Sequence, residues 1–216
     1  MKYYQILALL FGGIYLPLLV FFLLAVTIWY YPMGLGWEVN LLETVHKTSS
    51  PELDKLARVL TNFGTYLGVA PATAIFSLIF LARRNWYRLT YVLISLWGCW
   101  GISYTMKLLF HRLRPNLWEL FYPLPLDFAF PSGHALSSMT LAATGAILAW
   151  GSPWFILVSI GGIIFSLSIA WTRLYLGVHF PTDIIAGWML AISWAIGVHI
   201  ILQGIFKPMK SEIKLQ

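Results

Sequence analysis

Six apolar runs leave this chain few ways to fold. They extend over about Ile6 to Tyr31, Gly64 to Ala82, Leu89 to Phe110, His134 to Trp150, Pro153 to Leu176 and Asp183 to Phe206. A helix of about 20 apolar residues crosses the ~30 Å hydrocarbon core of a bilayer, and the runs are of that order. With 59% of its 216 residues hydrophobic and only 10% charged, the chain lacks the polar surface a water-soluble domain needs. The first run follows Lys2 without a small-residue cleavage site, so it reads as a retained span rather than a removed signal peptide. The expectation is an all-α, polytopic membrane protein, with six transmembrane helices in one bundle and a single domain over residues 1–216. Trp29, Tyr30, Tyr31, Trp86, Tyr87, Trp150 and Trp154 fall at the ends of the runs, where amphipathic rings meet the membrane interface. Gly64 with Gly68, Ala142, Ala143, Gly145, Gly161 and Gly162 allow helices to approach closely.

Between the first two runs, Gly34 to Asn62 is polar and reads as an amphipathic helical connector. Ser49 or Ser50 can cap a helix, Pro51 suits its first turn, and Glu52 and Asp54 favour its positive end. Leu53, Leu56, Ala57 and Leu60 recur at i, i+3, i+4 and i+7 and make one apolar face. Basic residues set the orientation. With the amino terminus inside, the inner segments carry Lys2, Arg83, Arg84, Arg88, Lys207, Lys210 and Lys214, against Lys47, Lys55, Arg58 and Arg112 outside. That asymmetry places both termini in the cytoplasm of a cell membrane, and the segments after the third and fifth runs together on the outer face. The net charge of +6 is scattered rather than gathered in a tail or along one helix face, so it does not indicate a nucleic-acid partner. Cys99 is the single cysteine, which excludes an internal disulfide and a cysteine-based metal site. Nothing in the chain fixes an oligomeric state.

Three polar clusters interrupt the apolar pattern. In the stretch 171–183, Arg173, His179 and Asp183 lie at the junction of the fifth and sixth runs, and ionisable groups at membrane depth are costly unless paired or functional. His179 and Asp183 are four apart, so the carboxylate can hold one imidazole nitrogen and leave the other as a lone pair, suited to a nucleophile or a base. Arg173 offers a planar fork for phosphate oxygens. Lys107 and Arg114 are seven apart, two turns on one helix face, and both can point at one anion, with Pro115 closing the run. Two such cations repel unless something negative lies between them. Arg112, by contrast, reads as an end-of-helix cation snorkelling to the interface. The fourth run opens Phe130-Pro131-Ser132-Gly133-His134, with Ser132 as cap, Gly133 permitting close approach to the amide groups of a helix start, and His134 placed to donate a proton to a leaving oxygen. A structural His-Asp pair and a capping histidine are the plainer readings of the same residues. Of the remaining histidines, His46 reads as solvated, His111 as interfacial, and His199 as a helix-to-helix hydrogen bond.

Lys107 with Arg114-Pro115 (107–115), Pro131-Ser132-Gly133-His134 (131–134), and Arg173 with His179 and Asp183 (172–183) resemble, in order and spacing, the three signature motifs of the type 2 phosphatidic acid phosphatase superfamily. The short segment between the first two is similar to that of bacterial phosphatidylglycerophosphatases and undecaprenyl-diphosphate phosphatases. One position departs. The third motif of the family usually begins Ser-Arg, and Thr172 here keeps the hydroxyl on a β-branched side chain. The resemblance implies a membrane lipid phosphatase whose His179, oriented by Asp183, forms a phosphohistidine while His134 protonates the departing oxygen. It implies that Lys107, Arg114, Arg173, Thr172, Ser132 and Gly133 hold the phosphate, and that no metal or other cofactor takes part. The implied partners are membrane lipids and a lipid phosphate substrate: undecaprenyl diphosphate, phosphatidylglycerophosphate or phosphatidic acid.

Three competing readings use the same residues. Two histidines and an aspartate could ligate a divalent metal, although three surrounding cations favour an anion there. A transporter also buries ionisable groups, but near the midplane and in repeated halves, whereas here they gather toward one face. A lipid phosphotransferase would pass the phosphoryl group to an alcohol in place of water.

Overall fold

A computed structural model describes residues 3–118 and 125–212. Lys2 and Lys214, both counted in the charge asymmetry, lie outside the described residues, as does part of the segment between the first two motifs. Among the described residues all regular structure is helical. Helix α1 (Tyr3–Leu10) continues through a π-helical turn at Phe11–Tyr15 into α2 (Leu16–Tyr30). The connector forms α3 (Gly36–His46) and α4 (Pro51–Thr61), followed by α5 (Tyr66–Ala82), α6 (Trp86–Phe110), α7 (Gly133–Ala149), α8 (Phe155–Tyr175) and α9 (Pro181–Glu212).

Among the described residues, four stretches are long and apolar enough to cross a membrane: Leu7–Tyr30, Trp86–Phe110, Phe155–Tyr175 and Pro181–Phe206. Helices α4 and α5, bent by 41° at their junction, make a fifth if taken as one broken span. The expected second and fourth spans, α5 and α7, have 17 residues each. At about 1.5 Å per residue that is roughly 26 Å, short of the hydrocarbon thickness. For α7 the shortfall has a physical reason. It packs against α6, α8 and α9, and a helix surrounded by protein does not have to match the lipid.

The connector helices form where the sequence places them. Ser50 Oγ accepts from the Leu53 amide at 3.3 Å, and Pro51 occupies the first turn. Leu53 and Ala57 turn inward against Tyr175, Leu176 and Val178. Leu56, expected on the same face, is exposed. The cause is a polar contact: the Tyr175 hydroxyl donates to Asp54 Oδ1 at 2.7 Å, which fixes Asp54 inward, and Leu56 lies about 200° further round the helix. Of the histidines given plain roles, His199 Nδ1 is bonded to the Tyr87 hydroxyl at 2.7 Å between two helices. His46 is not solvated on both faces, because its ring stacks on Trp118 with centroids 4.1 Å apart.

The helix contacts that place the site are close. A Cβ on Gly187 of α9 would stand 2.8 Å from the Ser132 carbonyl oxygen, so only glycine lets α9 meet the start of α7.

Candidate active site

The carboxyl ends of α6 and α8 and the amino ends of α7 and α9 meet at one end of the bundle. Helix α8 stops because Gly177 adopts a positive φ of +65°, with the Gly177 amide donating to Leu174 O and the Val178 amide to Arg173 O. The reversal carries His179 into the bundle. Helix α9 starts at once with Pro181, and Asp183 reaches back so that its Oδ2 accepts from the Phe180 amide at 2.9 Å. The Asp183 carbonyl accepts from the Ser132 amide at 2.9 Å, which ties the second and third polar clusters together.

His179 is buried, and its two ring nitrogens face different groups. Nε2 lies 2.9 Å from Arg114 Nη1. A guanidinium can only donate, so Nε2 accepts and carries the lone pair, and the ring proton is on Nδ1. Nδ1 stands 3.4 Å from Asp183 Oδ2, longer than an ordinary hydrogen bond. Burial, and then the charges of Arg114, Arg173 and Lys107, hold the His179 imidazole well below its usual range, so it is neutral near pH 7.

Arg112 is not at the interface. It is buried, and its Nη1 donates to Asp183 Oδ1 at 2.6 Å and to Thr182 Oγ1 at 2.7 Å. Its Nη2 lies 3.4 Å from Glu38 Oε2, its Nε donates to Pro32 O, and its guanidinium covers the Phe180 ring at 4.4 Å. Glu38, on α3, is itself fully buried. Its Oε1 accepts from the Thr182 amide and hydroxyl at 3.0 and 2.7 Å, and its Oε2 accepts from the Leu35 amide at 2.8 Å. Two carboxylates would not share such a place without the arginine between them. The snorkelling expectation failed because its partners are remote in sequence: Asp183 is 71 residues away.

Lys107 and Arg114 do converge on an anion, although not along one helix face. Helix α6 ends at Phe110, His111 takes a left-handed conformation with φ +47°, and Arg114 comes back on a non-helical segment. The anion is Asp127. Its Oδ2 accepts from Lys107 Nζ and its Oδ1 from Arg114 Nη2 at 2.5 Å. Burial raises the Asp127 carboxyl, but the hydrogen bond and charge of Lys107, with the charge of Arg114, outweigh it and hold the group below the usual carboxylate range. Arg173 is fully buried, with Nη1 donating to Thr61 Oγ1 at 2.6 Å, and is close enough for its charge to act on His179. Thr172 is buried and donates its hydroxyl to Ile169 O of its own helix at 2.6 Å, so that hydrogen is not directed at the cluster. Ser132 caps α7 through the Ala135 amide at 3.5 Å. A Cβ on Gly133 would meet only Ser103 Oγ, at 3.2 Å. His134 has a buried Nε2 without a hydrogen-bond partner. A cavity of about 280 Å³ opens beside Lys107, Arg114, Asp127, Gly133 and His134, with Trp100 and Tyr104 on its α6 wall. Among the described residues, no three His, Cys, Asp or Glu side chains gather to hold a metal ion.

The sequence pattern of the PAP2 superfamily matches residues 86–207, from the start of α6 to the end of the apolar part of α9. The chain belongs to the PAP2 superfamily. An undecaprenyl-diphosphatase from Sulfolobus acidocaldarius is 31% identical over 187 residues, 84% of this chain and 86% of that protein. A putative undecaprenyl-diphosphatase of Escherichia coli, YbjG, is 35% identical over 107 residues, 47% of this chain and 50% of that protein. Among solved structures, the PAP2-type phosphatidylglycerolphosphate phosphatase of Bacillus subtilis superposes with a TM-score of 0.72 at 22% identity, covering 88% of this chain and 93% of that one. LpxE of Aquifex aeolicus gives 0.64 at 20% identity, covering 77% and 96%. This PAP2 chain is therefore a multi-pass membrane phosphatase, and the two superpositions show that it has the PAP2 membrane fold.

Among the described residues, Arg112, Glu38, Asp127 and Thr61 are polar contacts of this PAP2 site that a reading of the motifs alone does not assign. A signal for Asp127 was available, since paired cations in an apolar bundle require an anion between them. Nothing local distinguishes Glu38 from any other connector acid.

Proposed function

We propose that this PAP2 phosphatase hydrolyses a lipid diphosphate or monophosphate through a phosphohistidine on His179, with undecaprenyl diphosphate the first substrate to test. The observation that carries the reading is the unprotonated Nε2 of His179, which accepts from Arg114 beside Lys107 and Arg173. The similarity to an undecaprenyl-diphosphatase over 84% of the chain supports the choice of lipid. Phosphatidylglycerophosphate and phosphatidic acid remain in the substrate class.

In this mechanism Lys107, Arg114 and Arg173, with the Gly133 amide and Ser132 at the start of α7, take the non-bridging oxygens, whose charge they stabilise most in the transition state. Thr172 contributes to the phosphate contact only if its hydroxyl leaves Ile169. As the phosphate enters, Arg114 transfers its N–H from the imidazole to a phosphate oxygen. Nε2 then attacks the terminal phosphorus, the bond to the departing oxygen breaks, and His134 gives that oxygen a proton. In a diphosphate it is the bridging oxygen, and the lipid monophosphate leaves; in a monophosphate it is the ester oxygen, and the lipid alcohol leaves. The phosphate charge next to His134 favours the imidazolium this step needs. Asp183 stabilises the positive charge that develops on the His179 ring. In the second step water attacks phosphorus, His134 takes its proton, and phosphate leaves His179 neutral. The three cations supply the positive charge that a divalent metal would otherwise bring, so the route uses no metal.

The same reading takes all six apolar helices as crossings, α5 and α7 included, with residues 1–216 as one domain, both termini cytoplasmic and the site opening to the outer face. Cavity walls of Trp100 and Tyr104 on α6 suit a lipid entering sideways.

Phosphate release from undecaprenyl diphosphate and phosphatidylglycerophosphate, with chelator present, tests the chemistry. Release that survives chelator and disappears in His179→Ala supports it, and the preferred lipid names the substrate. Release that persists in His179→Ala removes the nucleophile. Loss to chelator moves the histidines to a metal site, and product appearing on an added acceptor lipid in place of free phosphate makes the chain a transferase. Accessibility of single cysteines placed in the 83–85 turn and the 47–50 turn to an impermeant reagent tests the orientation.

A further inference from the structure

We infer that Asp127 is a built-in competitor that sets the affinity of the site for phosphate: its carboxylate occupies the phosphate position between Lys107 and Arg114, and every incoming anion has to displace it. The inference rests on the phosphate-binding role proposed above for those two cations.

Asp127 holds Lys107 and Arg114 with one carboxylate oxygen each, the way two non-bridging phosphate oxygens would bridge them. The three side chains differ in how firmly they are fixed. Those of Lys107 and Arg114 are 10% and 3% exposed, whereas that of Asp127 is 55% exposed. The cations belong to the bundle and the acid stands at its rim, facing the cavity that also reaches His134. The backbone around the acid is held independently of its carboxylate. Arg114 Nε donates to the Asp127 carbonyl at 3.0 Å, and the Ala129 amide donates to Arg112 O at 2.8 Å. A side-chain rotation therefore frees the anion position without moving the segment. Arg114 holds His179 through Nη1 and Asp127 through Nη2, so release of the carboxylate does not itself require the His179 contact to break.

An internal competitor of charge −1 sets a threshold that every incoming anion has to exceed. A phosphate dianion gains more from two cations than a carboxylate does and replaces it, while sulfonates and carboxylates gain no advantage. The competitor lowers the affinity of every phosphate by the same factor. A lipid phosphate recovers the loss through its buried tail. Inorganic phosphate, the product, has no tail and leaves.

The test is the binding of inorganic phosphate to purified protein by calorimetry, beside its inhibition constant and the KM for lipid substrate, in wild type, Asp127→Asn, Asp127→Ala and Asp127→Glu. Removing the charge should tighten inorganic phosphate by roughly two- to tenfold, the range of a half-exposed ion pair, and lower KM in parallel. Asp127→Glu should keep both near wild type. Unchanged phosphate binding in both neutral variants overturns the inference. Weaker binding also overturns it, and makes Asp127 a strut that positions the two cations. Should Asp127→Asn fail to fold, Asp127→Ala carries the same reading. Calorimetry needs no turnover, so a chain that released nothing from lipid would defeat the proposed reaction while leaving this inference to be decided by phosphate binding.

Discussion

The site contains two aspartates paired with arginine, and they are held in opposite ways. Asp183 lies at the floor, fully buried, with Arg112, the Phe180 amide and, through Arg112 and Thr182, Glu38 around it. Asp127 lies at the rim, more than half exposed, with Lys107 and Arg114. A buried charge that loses its partner has nowhere to find another, whereas an exposed one finds water. The floor is therefore built to stay and the rim to open. The proposed catalytic pair needs fixed geometry; the proposed binding position needs an occupant that leaves.

Breaking the floor should have the largest effects. His179→Ala removes the proposed nucleophile, and single-turnover phosphate release should fall by more than about 10³-fold while the protein remains folded. Arg112→Ala leaves Asp183 and Glu38 facing each other without a cation. It should cost roughly 3–5 kcal/mol in thermal or denaturant unfolding in detergent. Glu38→Gln keeps the shape and the acceptor for the Thr182 amide but removes one charge, and should cost less, about 1–3 kcal/mol, with kcat reduced more than KM is changed. If Arg112→Ala unfolds no more easily than Asp127→Ala, the contrast between floor and rim is wrong. At the rim, Asp127→Ala should change stability by less than about 1 kcal/mol.

The pH dependence sharpens the same contrast. The imidazole of His179 is depressed in the folded protein, so it stays neutral as pH falls through its ordinary value of 6.5. The acid limb of kcat/KM for lipid substrate should therefore lie below pH 6.5. Stability follows the same sign: the contribution of a neutral buried His179 is complete above the unfolded value and is lost as pH falls from there toward the folded one. The carboxyl of Asp127, held below the usual carboxylate range, should stay ionised as pH falls through 6.5 and add no limb there. An acid limb above pH 6.5 that disappears in Asp127→Asn would reverse the assignment.

The apolar runs and the polar clusters were legible in the sequence because each is a local pattern. Long runs report helices, and Ser50, Pro51 and Ser132 report where helices start. Arg114 was expected two turns along a helix from Lys107. The structure reaches the same convergence through a left-handed residue at His111, which no spacing rule anticipates. Arg112 was misread because a cation after an apolar run has a good local explanation, and its partners Glu38 and Asp183 lie 74 and 71 residues away. The six-helix plan rested on run length, and run length does not say that α7 would be enclosed by its neighbours. Residue-level periodicity sees what one segment presents, not what another segment brings to it.

Glu38 has a further consequence, for the order in which the chain is assembled. It emerges from synthesis 74 residues before Arg112 and 144 before Thr182, and until they arrive a carboxylate destined for the interior has no cation to meet. The contacts that draw the connector in are complete only when the last helix is in place. Closing the connector onto the bundle and completing the Glu38–Arg112–Asp183 cluster are thus one event.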